Sequence, residues 1–399
     1  MLRSLKVESL FGLYSYNLDF TNQDETAIKF LTGPNGYGKT TVLSLIYSLY
    51  TCDFNALMQV PFNTLIFNFG EQVIKVQQRR IYAEQEDDSD EEHLKSVELE
   101  IIFLKSQPTI AGSEDEIIER ILLNKGENCS SQEANGQNLR LYFQSLPCYY
   151  IKDQRLLHKK TVLESSTNEE PISVSAVYDN ADHFCHILKE QANLFAESYQ
   201  VLPTTDLTTP DEASYNERKK TIQPLLEKLH QYELIPEIFP LYDYSPENAP
   251  TLNLYLDALN HAIEKVRPFL QKLDTFVGII ERSQFANKHL EISPRYGFRF
   301  IADDSDHTIL SLSDLSSGEQ HILIQTYELL FKAEHSSLVL MDEPEISYHL
   351  AWQVDFLRNM KEIVKLRGIQ CIIGTHSPQM FNSDWKLSVD LYTQSTQNA

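Results

Sequence analysis

No apolar run in the 399-residue chain approaches the ~18 to 20 residues of a membrane helix. The strongest runs, Leu338–Met341 and Cys371–Ile373, are strand-sized, which predicts a soluble protein without membrane contact. Met1 to Phe20 lacks both a positive n-region and a continuous apolar h-region, so it reads as two strands and not as a secretion signal. Cys-x-x-Cys spacing is missing too. The five cysteines, Cys52, Cys129, Cys148, Cys185 and Cys371, are odd in number and have no histidine pattern nearby, which fits a reducing cytoplasm with neither disulfides nor zinc. Positive charge is the other shortage: 34 Lys and Arg stand against 57 Asp and Glu, for a formal net charge of −23. A field of that sign repels nucleic acid, so any DNA contact must be local. Basic clusters occur at Lys75, Arg79 and Arg80, at Lys152, Arg155, His158, Lys159 and Lys160, and at Arg218, Lys219 and Lys220. They read as ordinary solvated faces.

Four short segments are present, in a fixed order. They are Gly33-Pro34-Asn35-Gly36-Tyr37-Gly38-Lys39-Thr40, then Leu315-Ser316-Ser317-Gly318-Glu319-Gln320, then Leu338-Val339-Leu340-Met341-Asp342-Glu343-Pro344, then Thr375-His376-Ser377. The first fits the P-loop pattern, whose backbone N–H groups wrap phosphates while the lysine reaches the terminal ones and the following hydroxyl meets Mg²⁺. Its context is right, with an apolar strand over 28–31 before it and an apolar helix over 41–50 after it. Candidate nucleotide contacts are therefore Asn35, Gly36, Tyr37, Gly38, Lys39, Thr40 and Thr41. The third segment ends a buried strand in two carboxylates, which suit Asp342 to Mg²⁺ together with Thr40, and Glu343 to the role of general base toward water. The second segment is a separate Ser/Gly-rich turn at the head of a helix, a second phosphate-binding device. Two anion sites suggest one shared ligand, ATP.

Between these segments the pattern is uneven. A hairpin around Gly12 precedes the P-loop strand, and strands over 72–82 and 96–105 flank an acidic stretch, 84–92, read as a disordered hairpin tip. Residues 106–146 read as a helix in long loops, and 148–151 as a strand. From Tyr178 to Phe285 the apolar period is helical. Prolines 203, 210, 224, 236, 240, 246 and 250 predict that this region is a short, compact bundle, because proline breaks long helices. Strands return over 297–302 and 308–312, a helix follows over 319–332, and strand, helix and strand then alternate over 338–374, as in a parallel sheet with sites at its carboxyl ends.

Walker A, signature turn, Walker B and switch histidine in this order resemble the ABC-type ATPase superfamily. Leu-Ser-Ser-Gly-Glu-Gln and Asp342-Glu343-Pro344-Glu345 look more like the RecF, SMC and OLD group than like transporter subunits, with Ser317 and Glu319 as departures from the transporter signature. The resemblance implies an α/β fold: an ABC-type P-loop ATPase head, with a mixed β lobe and a parallel sheet with helices, carrying a short inserted helical domain. The head would take 1–157 and 289–399, and the insertion 158–288. By the same resemblance Gln154 is a Q-loop residue touching Mg²⁺ and the attacking water, and His376 contacts the γ-phosphate. Ser316, Ser317 and Gly318 would close over ATP held by another copy, giving a homodimer or higher oligomer. His349 falls where relatives carry an interface loop, and its role is open. The segment beyond Phe381 is too short for a Toprim nuclease, and no HNH-like cluster appears, so an effector is expected on a separate polypeptide. That arrangement resembles the ATPase subunits of bacterial antiviral systems such as Septu and PARIS, which control a nuclease or toxin. The alternatives are a RecF/SMC-like repair ATPase binding DNA directly and, in third place, a transporter subunit, whose Walker A and signature lie much closer together.

Overall fold

The computed structural model describes residues 1–21, 27–82, 94–105, 116–126, 136–152, 156–160, 172–201 and 210–397. In chain order the first elements are β1 (Ser4–Leu10), β2 (Tyr14–Asp19), β3 (Ile28–Thr32), α1 (Lys39–Tyr50), α2 (Phe54–Gln59), β4 (Thr64–Asn68), β5 (Gln72–Tyr82), β6 (Leu94–Lys105), β7 (Glu116–Gly126), α3 (Gln137–Gln144) and β8 (Cys148–Ile151). The middle holds β9 (Leu157–Lys160), β10 (Ile172–Ser175), α4 (Ala176–Gln200), α5 (Glu212–Gln231), α6 (Ala249–Arg282), β11 (Lys288–Ser293), β12 (Gly297–Ala302), β13 (Ile309–Leu310) and α7 (Ser317–Tyr327). The last are β14 (Leu338–Asp342), α8 (Leu350–Arg367), β15 (Gln370–Gly374), β16 (Ser388–Asp390) and α9 (Leu391–Gln397). The chain forms two compact units, Met1–Asp153 with Ala333–Ala399, and Gln154–Lys332. The sequence reading divided it at 157/158 and 288/289 instead.

The first unit holds an antiparallel sheet in the order β2-β1-β4-β5-β6-β7 and a parallel sheet in the order β16-β3-β15-β14-β8. Every residue of β14 and β15 is buried, which is why both read as continuous apolar runs and not as alternating strands. Leu43, Ile46 and Leu49 of α1 pack with Leu340 and Ile372 of this sheet and with Leu5, Val7 and Leu65 of the antiparallel one in a single core. The Gln370 amide accepts from the Leu2 N–H at 3.0 Å and donates to the Leu2 carbonyl at 2.7 Å, fastening the start of the chain to the far end of β15.

One expectation fails here. Residues 116–126 are not in a helix or loop but form an eleven-residue edge strand, β7, paired along β6. Ile117, Ile118, Ile121 and Leu122 have helix-like spacing, but cross-strand pairing such as Ile101 with Ile121 overrides it. Among the described residues of this region the helix is α3. The acidic stretch 84–92 lies outside the described residues, as do Cys129 and Gln154.

The second unit combines α4, α5, α6 and α7 with the small sheet β11-β12-β13 and the pair β9-β10. Its core is aromatic: Phe184, Phe276, Tyr327 and Phe331 have ring centroids within 4.8 to 6.2 Å of one another. Gly297 opens β12 at φ 72°, where a Cβ would stand 2.0 Å from the Ala181 carbonyl oxygen of α4. Only glycine permits that approach. Proline does not keep the helices of this unit short. Pro224 lies inside α5, Pro268 inside α6, and α6 runs for 34 residues. Each proline forfeits one backbone hydrogen bond, but α6 buries Leu256, Leu259, Ile263, Val266, Leu270 and Leu273 along one stripe, and packing of that face outweighs the loss.

Candidate nucleotide site

β3 delivers the chain to the glycine loop and α1 leaves it at Lys39. Gly38 is the N-cap at φ 79°, with a would-be Cβ 3.2 Å from Leu10 Cδ2, so a side chain there is both strained and crowded. No side chain caps α1, which leaves the N–H groups of its first turn directed at the loop, in the manner of an anion site.

Lys39 is 5% exposed and folds back into this loop, where Nζ donates to the Gly33 carbonyl at 2.9 Å and the Pro34 carbonyl at 3.4 Å. Burial pushes its pKa down, against the upward pull of the Glu343, Asp342 and Glu345 carboxylates. Nζ also lies 3.4 Å from His376 Nδ1, and His376 Nε2 lies 3.2 Å from Glu343 Oε1. An ammonium can only donate, so Nδ1 is the acceptor in that contact, which puts a ring N–H on Nε2, facing Glu343. The structure thus brings Lys39, His376 and Glu343 together from three places in the sequence.

Glu343 has φ 43°, a left-handed conformation that is costly for a side-chain-bearing residue, and its N–H donates to the Gly374 carbonyl at 2.9 Å. Asp342, 3% exposed, closes β14. A Cβ at Gly374 would meet Asp342 Oδ1 and Leu43 at 3.2 Å and Lys39 Cβ at 3.8 Å, so the missing side chain lets these groups converge. Among the described residues no cluster of three or more His, Cys, Asp or Glu could hold a metal alone. The Thr40 hydroxyl and Asp342 carboxylate are hard oxygen donors. They fit Mg²⁺ as the protein's share of a shell completed by phosphate oxygens and water.

The signature-like turn lies in the second unit. Ser316 caps α7 in a full capping box: its Oγ accepts from the Glu319 N–H at 3.3 Å, and Glu319 Oε2 accepts from the Ser316 N–H at 2.8 Å and its hydroxyl at 3.0 Å. Lys288 Nζ reaches both oxygens of Glu319, at 2.9 and 3.1 Å. Gly318 is buried and Ser317 exposed. His349 is the N-cap of α8, its Nδ1 accepting from the Ala351 N–H at 3.4 Å.

Three features escaped the sequence reading. Glu345 Oε1 accepts from the Thr375 hydroxyl at 2.7 Å and from the His376 N–H at 2.8 Å, and Lys288 pairs with Glu319. Beside the P-loop, the Tyr37 ring lies 5.3 Å from Tyr14 and 5.6 Å from Tyr392, while the Tyr16 hydroxyl donates to the Tyr37 carbonyl at 2.8 Å. The run of aromatics Tyr14, Tyr16 and Tyr37 was the available signal for the last feature. The two carboxylates had none, since their partners are remote in sequence.

No protein of curated function matches the chain. Among solved structures, an Smc head domain with an extended coiled coil bound to the C-terminal domain of ScpA, from Pyrococcus furiosus, is similar at 12% identity and TM-score 0.40, over 95% of this chain and 90% of that one. An SmcHead bound to the C-winged helix domain of ScpA is similar at 11% identity and TM-score 0.38, over the same shares. Among the described residues no helix is long and apolar enough to cross a membrane. Residues 1–381, nearly the whole chain, match the AAA ATPase domain family, so the chain belongs to that family and is an ATPase.

Proposed function

We propose that this ATPase binds ATP between copies of itself as a homodimer or higher oligomer, and that hydrolysis switches a separately encoded effector, a nuclease or toxin of antiviral defence. The observation that supports the hydrolytic core is the chain of contacts Lys39 to His376 to Glu343, at 3.4 and 3.2 Å. In this reading the N–H groups of the glycine loop and of the first turn of α1, with Lys39, bind the β- and γ-phosphates. Lys39 exchanges its Gly33 and Pro34 carbonyl partners for phosphate oxygens. Glu343 takes the proton of the attacking water, and His376 meets the γ-phosphate. Thr40 and Asp342, with Gln154, hold Mg²⁺, which neutralises charge building on the phosphates when bound. The rings of Tyr14 and Tyr37 offer a face on which a purine would stack.

A second copy supplies Ser316, Ser317 and Gly318. The Ser316 hydroxyl proton points to Glu319, so its part is to shape the turn, while the exposed Ser317 hydroxyl and the free N–H groups at the head of α7 face the γ-phosphate. ATP then binds the closed assembly better than the open one, which is what lets hydrolysis drive a cycle. Control of an effector rests on the motif resemblance. Direct DNA binding finds less support, because Arg218 pairs with Asp257, Lys219 with Asp243, and Arg80 donates to the Met58 and Gln59 carbonyls. The test is expression with the neighbouring gene products. An effector that co-elutes and changes activity between the wild-type chain and Glu343→Gln supports the reading. A gel shift with the isolated chain at moderate salt, or turnover strongly stimulated by bare DNA, would favour the repair reading instead.

A further inference from the structure

The histidine that spans Lys39 and Glu343 does not hold its own position. His376 follows Thr375, a fully buried residue just past the end of β15, and both are gathered by one oxygen of Glu345. Glu345 Oε1 accepts from the Thr375 hydroxyl at 2.7 Å and from the His376 backbone N–H at 2.8 Å. The Thr375 oxygen in turn accepts from the Ser377 N–H at 3.0 Å. Ser377 N–H to Thr375 hydroxyl to Glu345 carboxylate is a directional chain, each donor polarising the next. It wraps the backbone of residues 375–377 around a carboxylate that lies two positions after the base. The backbone that carries this carboxylate is held in a turn, because the Tyr348 N–H donates to the Glu345 main-chain carbonyl at 2.9 Å and the Ile346 N–H to the Glu343 main-chain carbonyl at 3.2 Å.

The geometry points to Glu345 as the positioning residue for His376. By fixing where the backbone of the histidine leaves β15, it sets the imidazole between the Lys39 ammonium and the Glu343 carboxylate. It also ties the turn that carries the base to the turn that carries the histidine, so that a displacement of either by a phosphate is felt by the other. Glu345 has its hydrogen bonds with the His376 backbone and Thr375 and reaches the imidazole through them, while it acts on Lys39 through its charge. This inference rests on the reading of Lys39, Glu343 and His376 as the ATP-hydrolysing groups.

Two simpler roles compete, and variants separate them. One makes Glu345 only a charge near Lys39, and the other makes it only an anchor of the fold. Glu345→Gln keeps an oxygen able to accept both hydrogen bonds but loses the charge. Glu345→Ala loses both. The test is steady-state ATP hydrolysis by the full chain with Mg²⁺, beside Lys39→Ala as the inactive reference. Positioning predicts that Glu345→Ala lowers kcat roughly 10- to 100-fold while KM for ATP stays within about threefold. Glu345→Gln recovers most of that loss. In the His376→Ala background, adding Glu345→Ala costs less than about twofold, since residues acting as one unit are not additive. A second readout is independent of turnover: in ¹⁵N-imidazole NMR, with the His376 signal assigned from its loss in His376→Ala, the wild-type chain shows the Nε2–H tautomer and Glu345→Ala a mixture. Additive losses, a Gln variant as poor as Ala, or an unchanged His376 tautomer in Glu345→Ala overturn the inference while leaving the ATPase reading standing. A wild-type chain no faster than Lys39→Ala overturns the assignment of these groups, and the inference falls with it.

Discussion

Glu345 and Glu319 do comparable work in the two units with opposite electrostatics. Each gathers a backbone N–H and a hydroxyl and thereby fixes a residue proposed to face phosphate, His376 in one case and the Ser316 turn in the other. Glu319 is 6% exposed and is neutralised on the spot by Lys288. Glu345 has no such partner among the described residues, and its charge adds to those of Asp342 and Glu343 in the pull on Lys39. The difference follows from what each place must accept. Three carboxylates near Lys39 offset part of the cost of burying its ammonium, and would suit the divalent cation proposed for this site. In the proposed assembly the Ser316 turn would meet a triphosphate on another copy, and a bare carboxylate 3.0 Å from the Ser316 hydroxyl would repel it. Lys288 removes that repulsion.

The largest effects test the first unit. Lys39→Ala should lower ATP turnover on the order of 10³-fold, the cost of removing a preorganised phosphate contact, and calorimetry should show ATP binding lost with it. Glu343→Gln should lower kcat roughly 10²- to 10⁴-fold, the worth of a general base, with ATP still bound in a filter assay. Retention of wild-type turnover by that variant would remove Glu343 from its role.

The second unit sharpens the contrast. Lys288→Met leaves Glu319 as a buried unpaired charge, and should destabilise the chain by about 3 kcal/mol in urea titrations and weaken ATP-dependent association about tenfold. Glu319→Gln should also cost stability, but without weakening association, because no anion remains beside Ser316. The double variant should recover the ATP response. Equal losses of association in both single variants would mean that the pair is only structural.

The smallest effect concerns pH. Because burial lowers the pKa of Lys39 in the folded chain, the unfolded chain binds more protons between that value and about 10.4, and stability should rise with pH across the window. Lys39→Met, measured by urea titration between pH 7 and 10, should flatten that rise.

The parts of the site that were legible in the sequence are those whose chemistry forces contiguity. A glycine loop must sit between a strand and a helix, so residues 33–40 announced β3 and α1, and the acidic end of an apolar run announced β14. The Ser/Gly-rich turn over 316–318 was legible as the head of a helix because turn and helix are contiguous. Glu345, by contrast, bonds to Thr375 and His376 thirty and more positions away, and Lys288 to Glu319 across 31. Nothing local marks either pair. Strand β7 was hidden because an edge strand with one wet face can place its isoleucines at helical intervals. The helical period of α6 was legible, and only its length was not, because packing carries the helix through Pro268.

The central proposal is that ATP joins two copies through the serine-capped turn of one and the phosphate loop of the other. Its most direct test is the mass of Glu343→Gln by light scattering, with and without Mg²⁺ and ATP, in samples where bound nucleotide is also quantified. The proposal predicts at least a doubling of mass that appears only with ATP and disappears in Lys39→Ala. A mass that stays unchanged while each chain carries ATP would contradict it.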